Sequence, residues 1–436
     1  MSTSVSDASD ASSREGSAPG PAPVRLRAAD ADRWPDVASV PPCPAPRRSV
    51  ARALVRRALD RLPLRAELGA DEVLGQGGPL LVVHDEPAFM SRIAAGGLIG
   101  FGESYMAGEW DAEDLTGVLE VLAGNVATLI PPSLQRLRGL WAVRQPAAHR
   151  NTPTGARTNI HRHYDLSNDL FALFLDGTLT YSSACFAELP ATHAQLTSAQ
   201  HRKIDLLLDL TGVGPGTRML EIGTGWGELA LRAAARGAYV RSVTLSAEQR
   251  TLARERLRAA GLDHRAEVEL CDYRQVEGEY DAIVSVEMIE AVGAEFWPDY
   301  FRCLDRLLAP GGRIALQAIT MPHERMRASA GTHTWIQKYV FPGGLLPSVR
   351  AVEETLASHT TLRVEARAGY GAHYAETLRL WRERFTERAA EVDDLGFDAT
   401  FRRMWTFYLA YSEAGFRSRY LDVQQFLLTR RDGGSR

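Results

Sequence analysis

Lysine is almost absent from this chain: Lys203 and Lys338 are the only two, and arginine carries the rest of the basic charge. Cysteine is scarce as well. The four residues, at positions 43, 185, 271 and 303, form no C-x-x-C pair and no Cys/His cluster of zinc spacing. That excludes a disulfide scaffold and a structural zinc module, and it fits reduced thiols in the cytoplasm. No run of about 18 apolar residues occurs, so no membrane-spanning helix is expected. Net charge is only −4 over 436 residues, which removes the electrostatic argument for a nucleic-acid partner. Met1 to Ala22 lacks the basic end and apolar run of a signal peptide. Residues 1–44 are read as a disordered tail, with a Pro-rich linker, Pro41–Pro46, at its end.

With 45% hydrophobic residues the chain has ample material for a large core, and its length suggests two or three domains. A helix is expected over Ser49–Leu62, a strand over Leu80–Asp85, glycine turns between short elements within Ala94–Asp111, and a helix over Asp114–Leu122. These make a small N-terminal α+β domain, about 45–130, associated with lipid. Acidic residues are missing from Val121 to Tyr164, where Arg136, Arg138, Arg144, Arg150, Arg157 and Arg162 stand. Leu134, Leu137, Leu140, Trp141 and Val143 are interleaved with the first of them. Residues 131–160 read as a basic linker, either solvated or resting on anionic headgroups. Each basic residue near such a surface is worth about 1 kcal/mol, and tryptophan suits the interface.

From about residue 200 helix and strand alternate. Helices are expected at Ala199–Leu210, Glu228–Arg236, Ala247–Ala260 and Trp297–Leu308. Strands are expected at Arg218–Gly223, Tyr239–Leu245, Ala266–Asp272, Tyr280–Val286 and Arg313–Thr320, the last after a Pro310–Gly312 turn. This pattern predicts an α/β fold: a doubly wound, mostly parallel Rossmann-like sheet with helical insertions over 161–436.

LEIGTGWG (Leu220–Gly227) follows an apolar strand and opens a helix. Gly223, Gly225 and Gly227 allow a sharp turn and close approach of backbone to a ligand. Nucleotide-binding folds share such turns. The E-x-G-x-G-x-G spacing, Glu221 inside the strand end and Asp272 closing the third strand favour S-adenosylmethionine over NAD. Nearby carboxylates attract the sulfonium and ammonium of that cofactor. Asp272, with Tyr273 beside it, is the candidate acceptor for the adenine amine. The second strand ends in Thr244-Leu245-Ser246, without the usual ribose-binding acid.

Several segments, in order, carry a resemblance. They are HYDLSNDLFALFLDGTLTYSSACF (His163–Phe186), LEIGTGWGELA, VTLSAEQ (Val243–Gln249), SVEMIEAVG (Ser285–Gly293), WIQKYVFPGGLLPS (Trp335–Ser348), YGAHYAETLRLW (Tyr370–Trp381) and FYLAYSEAGFRSR (Phe407–Arg419). GFGESYMAGEWD (Gly100–Asp111) matches at the N-terminal side. Together they resemble the cyclopropane-fatty-acyl-phospholipid synthase family, and SVEMIEAVG and the Arg-rich composition are similar to its actinobacterial members.

The resemblance implies an S-adenosylmethionine-dependent methyltransferase acting on an unsaturated acyl chain of a phospholipid, peripheral at the inner face of the cell membrane. Tyr181, Ser182, Gly223, Gly225, Thr244, Leu245 and Gln249 would contact the cofactor. The family also holds bicarbonate as general base. Glu290, Ile319 and Tyr374 match its shell, while Ser183 stands for a Cys and Gln317 for a His; both still hydrogen-bond an anion. Ala291 replaces a His that often follows the Glu. Aromatic residues of the C-terminal part, among them Trp335, Tyr339, Phe341, Trp405, Phe407, Tyr408, Tyr411 and Phe416, are expected mostly in the core, with two or three lining an acyl tunnel and stabilising a carbocation.

The product is either a cyclopropane or a methylene branch, the latter a substrate for a partner reductase, and a homodimer is admitted. Two other classes stand beside this reading: a methyltransferase of the same fold acting on a soluble small molecule, and a non-catalytic lipid-binding relative.

Overall fold

A computed structural model describes residues 29–69, 72–125 and 167–431. The basic linker expected at 131–160 lies outside the described residues. Helices α1 (Pro35–Ala38) and α2 (Ala45–Leu59) precede strands β1 (Arg65–Leu68), β2 (Glu72–Leu74) and β3 (Leu80–Val83). Helices α3 (Glu86–Gly96) and α4 (Leu98–Met106) follow, then β4 (Trp110–Asp111) and α5 (Leu115–Gly124). The strands form a four-stranded sheet in the order β2-β1-β3-β4. Helices α3 and α5 begin where Asp85 and Asp114 accept the backbone N–H of Ala88 and Gly117, each satisfying one of the first-turn donors.

Three expectations are corrected here. Gly100 and Gly102 are not turn residues; both lie inside α4, and only Gly97, at φ 57°, breaks the chain between α3 and α4. A Cβ on Gly100 would stand 2.0 Å from the Arg92 carbonyl oxygen, and one on Gly102 would stand 2.4 Å from Trp335 Cδ1. The glycines let α4 approach α3 and an indole at backbone contact. Second, the C-terminal part of the presumed tail, from residue 29, is packed. Val37 is buried, Trp34 Nε1 donates to Asp398 Oδ2 at 2.8 Å, and the Arg92 guanidinium, 1% exposed, donates to the carbonyls of Asp36 (2.6 Å) and Val37 (2.7 Å). Two apolar anchors in a polar stretch have no period to read. Third, Pro310–Gly312 is no terminating turn but an irregularity inside a long strand, where pairing shifts between Tyr280 and Ala282.

After α6 (Asn168–Phe174) and α7 (Leu196–Thr211) comes the expected alternation: β5 (Arg218–Ile222), α8 (Glu228–Ala235), β6 (Tyr239–Thr244), α9 (Ala247–Ala259), β7 (Ala266–Leu270), β8 (Tyr280–Val286), α10 (Trp297–Leu307) and β9 (Leu308–Thr320). An insertion holds α11 (His323–Ser329), α12 (Trp335–Tyr339) and α13 (Val349–His359). The chain then runs through β10 (Leu362–Gly369), α14 (Gly371–Glu387), α15 (Ala389–Asp394), α16 (Ala399–Arg417) and β11 (Asp422–Arg430). The seven-stranded sheet has the order β10-β11-β9-β8-β5-β6-β7. Strands β9 through β7 pair in parallel; β11 runs antiparallel between β9 and β10.

Helices α7, α8 and α9 bury one face of the sheet, with Leu207, Leu229, Ala233 and Leu257 in that core. Helices α10 and α13 cover the other, through Phe301, Leu304 and Leu356. A third core joins the N-terminal helices to α6, α14 and α16, so Met106 and Leu119 share one apolar cluster with Leu378, Trp405 and Leu409. Chain order reverses between β5 and β8, and in open α/β sheets ligands bind outside the carboxyl ends of the strands at that reversal.

Candidate active site

The turn after β5 opens at this reversal. Gly223 and Gly225 have φ of 96° and 52°, a region open to glycine without strain. A Cβ on Gly225 would meet nothing within 4 Å, and one on Gly223 only the Met288 side chain. The backbone is thus bare toward the crevice. Gly227 is different: a Cβ there would lie 2.8 Å from Ala253 Cβ, so this glycine serves helix packing. The turn is held from outside by Arg256, which donates to the Trp226 carbonyl at 2.8 Å, to the Thr178 carbonyl at 3.0 Å and to Glu228 at 2.6 Å. Trp226 Nε1 donates to Asn168 Oδ1 at 2.8 Å, tying α6 to the same loop.

Glu221 is buried at the end of β5 and accepts from Ser242 Oγ at 2.5 Å; burial pushes its carboxyl up to about 8, against the Ser242 hydrogen bond and the charge of Lys203. Lys203, on α7, is buried and donates to Ser182 Oγ at 2.6 Å; burial lowers its ammonium to about 8, against the charges of Glu287, Asp176 and Glu221. After β6, Thr244 Oγ1 donates to Gln249 Oε1 at 2.8 Å, and Ser246 Oγ caps α9 by accepting the Gln249 N–H at 3.1 Å. Leu245 is half-buried between them.

Asp272 stands just past β7, which ends at Leu270, and accepts the backbone N–H, Nε and Nη2 of Arg274 at 3.0, 2.8 and 2.7 Å. A carboxylate offers about four acceptor positions, so about one is left for a ligand. Tyr273 packs edge-on against Tyr300 at 5.4 Å. Both lie at the carboxyl edge of the sheet, two strands from β5. The Tyr181 ring stacks on Trp381 at 5.3 Å, and its hydroxyl meets that of Tyr408 at 2.7 Å.

The residues expected to surround an anion do come together, but around a residue the sequence reading passed over. The Ser183 N–H (2.9 Å) and the Gln317 amide (2.8 Å) donate to Glu287 Oε1, and the Tyr374 hydroxyl (2.7 Å) donates to Oε2. Gln317 is held in turn by Gln425 Nε2 at 3.0 Å, and the Ser183 hydroxyl turns to the Ala184 carbonyl. Glu287 is the first residue beyond β8, beside the reversal, and has φ 50°. A left-handed conformation costs a non-glycine residue about 1–2 kcal/mol and persists where surrounding contacts hold it. Its signal in SVEMIEAVG was an acid one step past a strand that ends at the reversal.

Burial raises the Glu287 carboxyl, opposed first by the Lys203 charge and then by its three donors. Glu290 faces a second donor: its Oε1 accepts the Ile319 N–H at 2.6 Å. Burial, and then the charge of Glu287, push Glu290 up to about 8. Burial and the adjacent Glu287 also hold Tyr374 well above the usual phenol range, so it remains a hydroxyl donor.

Aromatic rings border these carboxyls. Phe416 lies 4.6 Å from Tyr374, and Phe341 and Trp405 lie 5.7 and 5.1 Å from Tyr408. Trp335 and Phe407 pack at 4.7 Å toward the N-terminal unit, whereas Tyr411 is exposed.

Residues 151–426 match the family model described as mycolic acid cyclopropane synthetase. A tuberculostearic acid methyltransferase, UfaA1, of Mycobacterium tuberculosis is 56% identical over 92% of this chain and 96% of that protein. The cyclopropane-fatty-acyl-phospholipid synthase of Escherichia coli is 34% identical over 83% of this chain and 92% of that protein. Among solved structures, mycolic acid cyclopropane synthase CmaA1 complexed with SAH and CTAB superposes with a TM-score of 0.57 at 31% identity, covering 65% of this chain and 98% of that one. The match takes in the glycine turn, the carboxyl pair and the aromatic insertions together, and it makes the chain a member of the mycolic acid cyclopropane synthetase family, an S-adenosylmethionine-dependent lipid methyltransferase.

Proposed function

We propose that this enzyme adds a one-carbon unit to the double bond of an unsaturated fatty-acyl chain of a phospholipid, through a carbocation, with Glu287 as the proton acceptor. The observation that carries the base assignment is the convergence of Ser183, Gln317 and Tyr374 on the Glu287 carboxylate. Bicarbonate does not fit this arrangement. The donors that would hold it already hold the Glu287 carboxylate, so a further anion there would compete for them and meet its like charge.

S-adenosylmethionine, when bound, supplies a methyl group activated by its sulfonium. The bare turn at Gly223 and Gly225 fits its backbone-close end, and a cation held there would favour the ionised form of Glu221. Thr244, Leu245, Gln249, Tyr181, Ser182, Asp272 and Tyr273 are the further contacts we assign to it.

An alkene is a weak nucleophile and needs alignment at about 3–3.5 Å in a site free of water. The alkene takes the methyl and leaves a cation on the neighbouring carbon. The rings of Tyr181, Phe341, Tyr408 and Phe416 suit an acyl chain, and aromatic faces stabilise a cation by about 0.5–2 kcal/mol each. Loss of a proton from the new methyl to Glu287 closes a cyclopropane. A hydride shift before the same proton loss gives a methylene branch. The relative named a tuberculostearic acid methyltransferase, at 56% identity, favours the branched product.

The test is the fatty-acid profile of a host that makes monounsaturated chains and expresses this protein. Vinylidene protons with a gain of one carbon are expected. Cyclopropane ring protons would assign the other product, and no gain would return the chain to a soluble substrate or a non-catalytic role.

Glu290 adds a pH signature. It keeps its proton up to about pH 8, and its ionisation would set a second negative charge beside Glu287. Turnover is therefore expected to fall above that pH. Glu290→Gln, which mimics the protonated acid, should retain turnover at neutral pH and move the alkaline limb upward. An alkaline limb left in place would reassign it to Lys203 or Glu221, which titrate in the same range.

A further inference from the structure

We infer that the outward face of α2 docks this enzyme on an anionic lipid surface. Ten large apolar side chains are exposed among the described residues, and five of them, Val40, Val50, Leu54, Val73 and Leu98, fall between residues 40 and 98. Val50 and Leu54, 60% and 37% exposed, are four residues apart on α2 and therefore share a face. The Arg47 contact with the Ala95 carbonyl places Leu98 near one end of this helix, and the Arg56–Glu72 pair places Val73 near the other.

The charge on this helix has one sign. Ala45–Leu59 holds Arg47, Arg48, Arg52, Arg56 and Arg57 and no acid, in a chain whose net charge is −4. Arg52 and Arg56 pair with Glu86 and Glu72. Arg48, Arg57 and Arg61 are exposed and have no ion-pair partner among the described residues. Helical spacing sets Arg57 on the side of Val50 and Leu54, and Arg61 follows in the turn that ends the helix. Apolar side chains flanked by three unpaired arginines, with Asp60 the one exposed acid between them, complement the boundary between anionic headgroups and acyl chains.

The placement suits delivery of substrate. The same N-terminal unit carries α4, whose Gly102 touches Trp335 and whose Glu103 accepts from Tyr339 at 2.8 Å, so the apolar patch and the aromatic insertion are joined by one helix pair. The inference rests on the reading of a phospholipid substrate.

The test is sedimentation of the full chain with vesicles of phosphatidylcholine alone or mixed with phosphatidylglycerol. Wild type should bind the mixed vesicles and dissociate as salt rises. Arg57→Glu/Arg61→Glu should weaken that binding about 25-fold or more, at about five-fold per charge lost. Val50→Asp/Leu54→Asp should weaken it at least about ten-fold. Both double variants should melt like wild type and turn over detergent-dispersed lipid at the wild-type rate, which separates a failed docking face from a failed substrate assignment. Mixed-vesicle binding unchanged in both variants overturns the inference. So does equal binding of wild type to neutral vesicles, or a dimer that Val50→Asp/Leu54→Asp dissociates without changing vesicle binding.

Discussion

Replacing Glu287 by Gln should lower kcat by about 10²–10⁴-fold, the range for loss of a positioned general base. Cofactor affinity should survive, because Glu287 lies beyond β8 while the glycine turn lies beyond β5. The amide keeps the size and one carbonyl acceptor, so Ser183, Gln317 and Tyr374 lose little structure. Thermal stabilisation by S-adenosylhomocysteine reads the binding side separately from turnover. A kcat within about ten-fold of wild type would remove Glu287 from the chemistry and return the base to an anion that this structure does not accommodate. A fall in kcat together with lost stabilisation would mean that the turn itself had been disturbed.

Replacing Arg92 by Met should have the largest effect on stability, about 3–5 kcal/mol, the usual result of removing one partner of a buried ion pair. The side chain pairs with Glu109 at 2.7 Å and holds the carbonyls of Asp36 and Val37, so the change strands a buried carboxylate and two acceptors. Burial already pushes Glu109 up to about 7, with the Arg92 hydrogen bond and charge opposing it. Without Arg92 the folded-state pKa rises further above the unfolded value. The folded state then prefers the protonated acid, and the penalty grows as pH rises through the folded pKa. Urea midpoints should therefore differ from wild type less below pH 7 than above it. A shift under about 1 kcal/mol at all pH values would contradict a load carried by this pair.

The parallel part of the sheet was legible in the sequence because its strands are short apolar or, in β7, alternating runs set between helices and turns. β8 was placed at its observed limits, and β5, β6 and β7 to within two residues. Strands β10 and β11 were not. Leu362–Gly369 alternates arginine and glutamate with apolar residues at a sheet edge, and β11 is recruited by pairing with strands far away in sequence. Gly100 and Gly102 were misread for a related reason: a glycine in a turn and a glycine under a crossing helix look alike until the neighbour is known.

At the site, the motif singled out Ser183, Gln317 and Tyr374 as a shell for an anion, and in the structure they donate to Glu287, which the motif did not single out. Glu290 has the motif position, yet Glu287 has the strand-end position, and it is the strand end that aims a side chain into the crevice. Lys203 went unremarked except as a rarity in composition, since nothing in one sequence says that a lysine on a helix will be buried against Ser182.

The inner position of β11 has a consequence for biosynthesis. Gln425 lies on this strand, steadies Gln317, and through it the acceptor carboxylate. Because β11 follows every other strand of this sheet in chain order, the gap between β9 and β10 stays open, and Gln317 lacks its Gln425 contact, until that strand emerges. A chain that stops before β11 keeps the residues of its glycine turn but loses the strand that steadies Gln317 against Glu287.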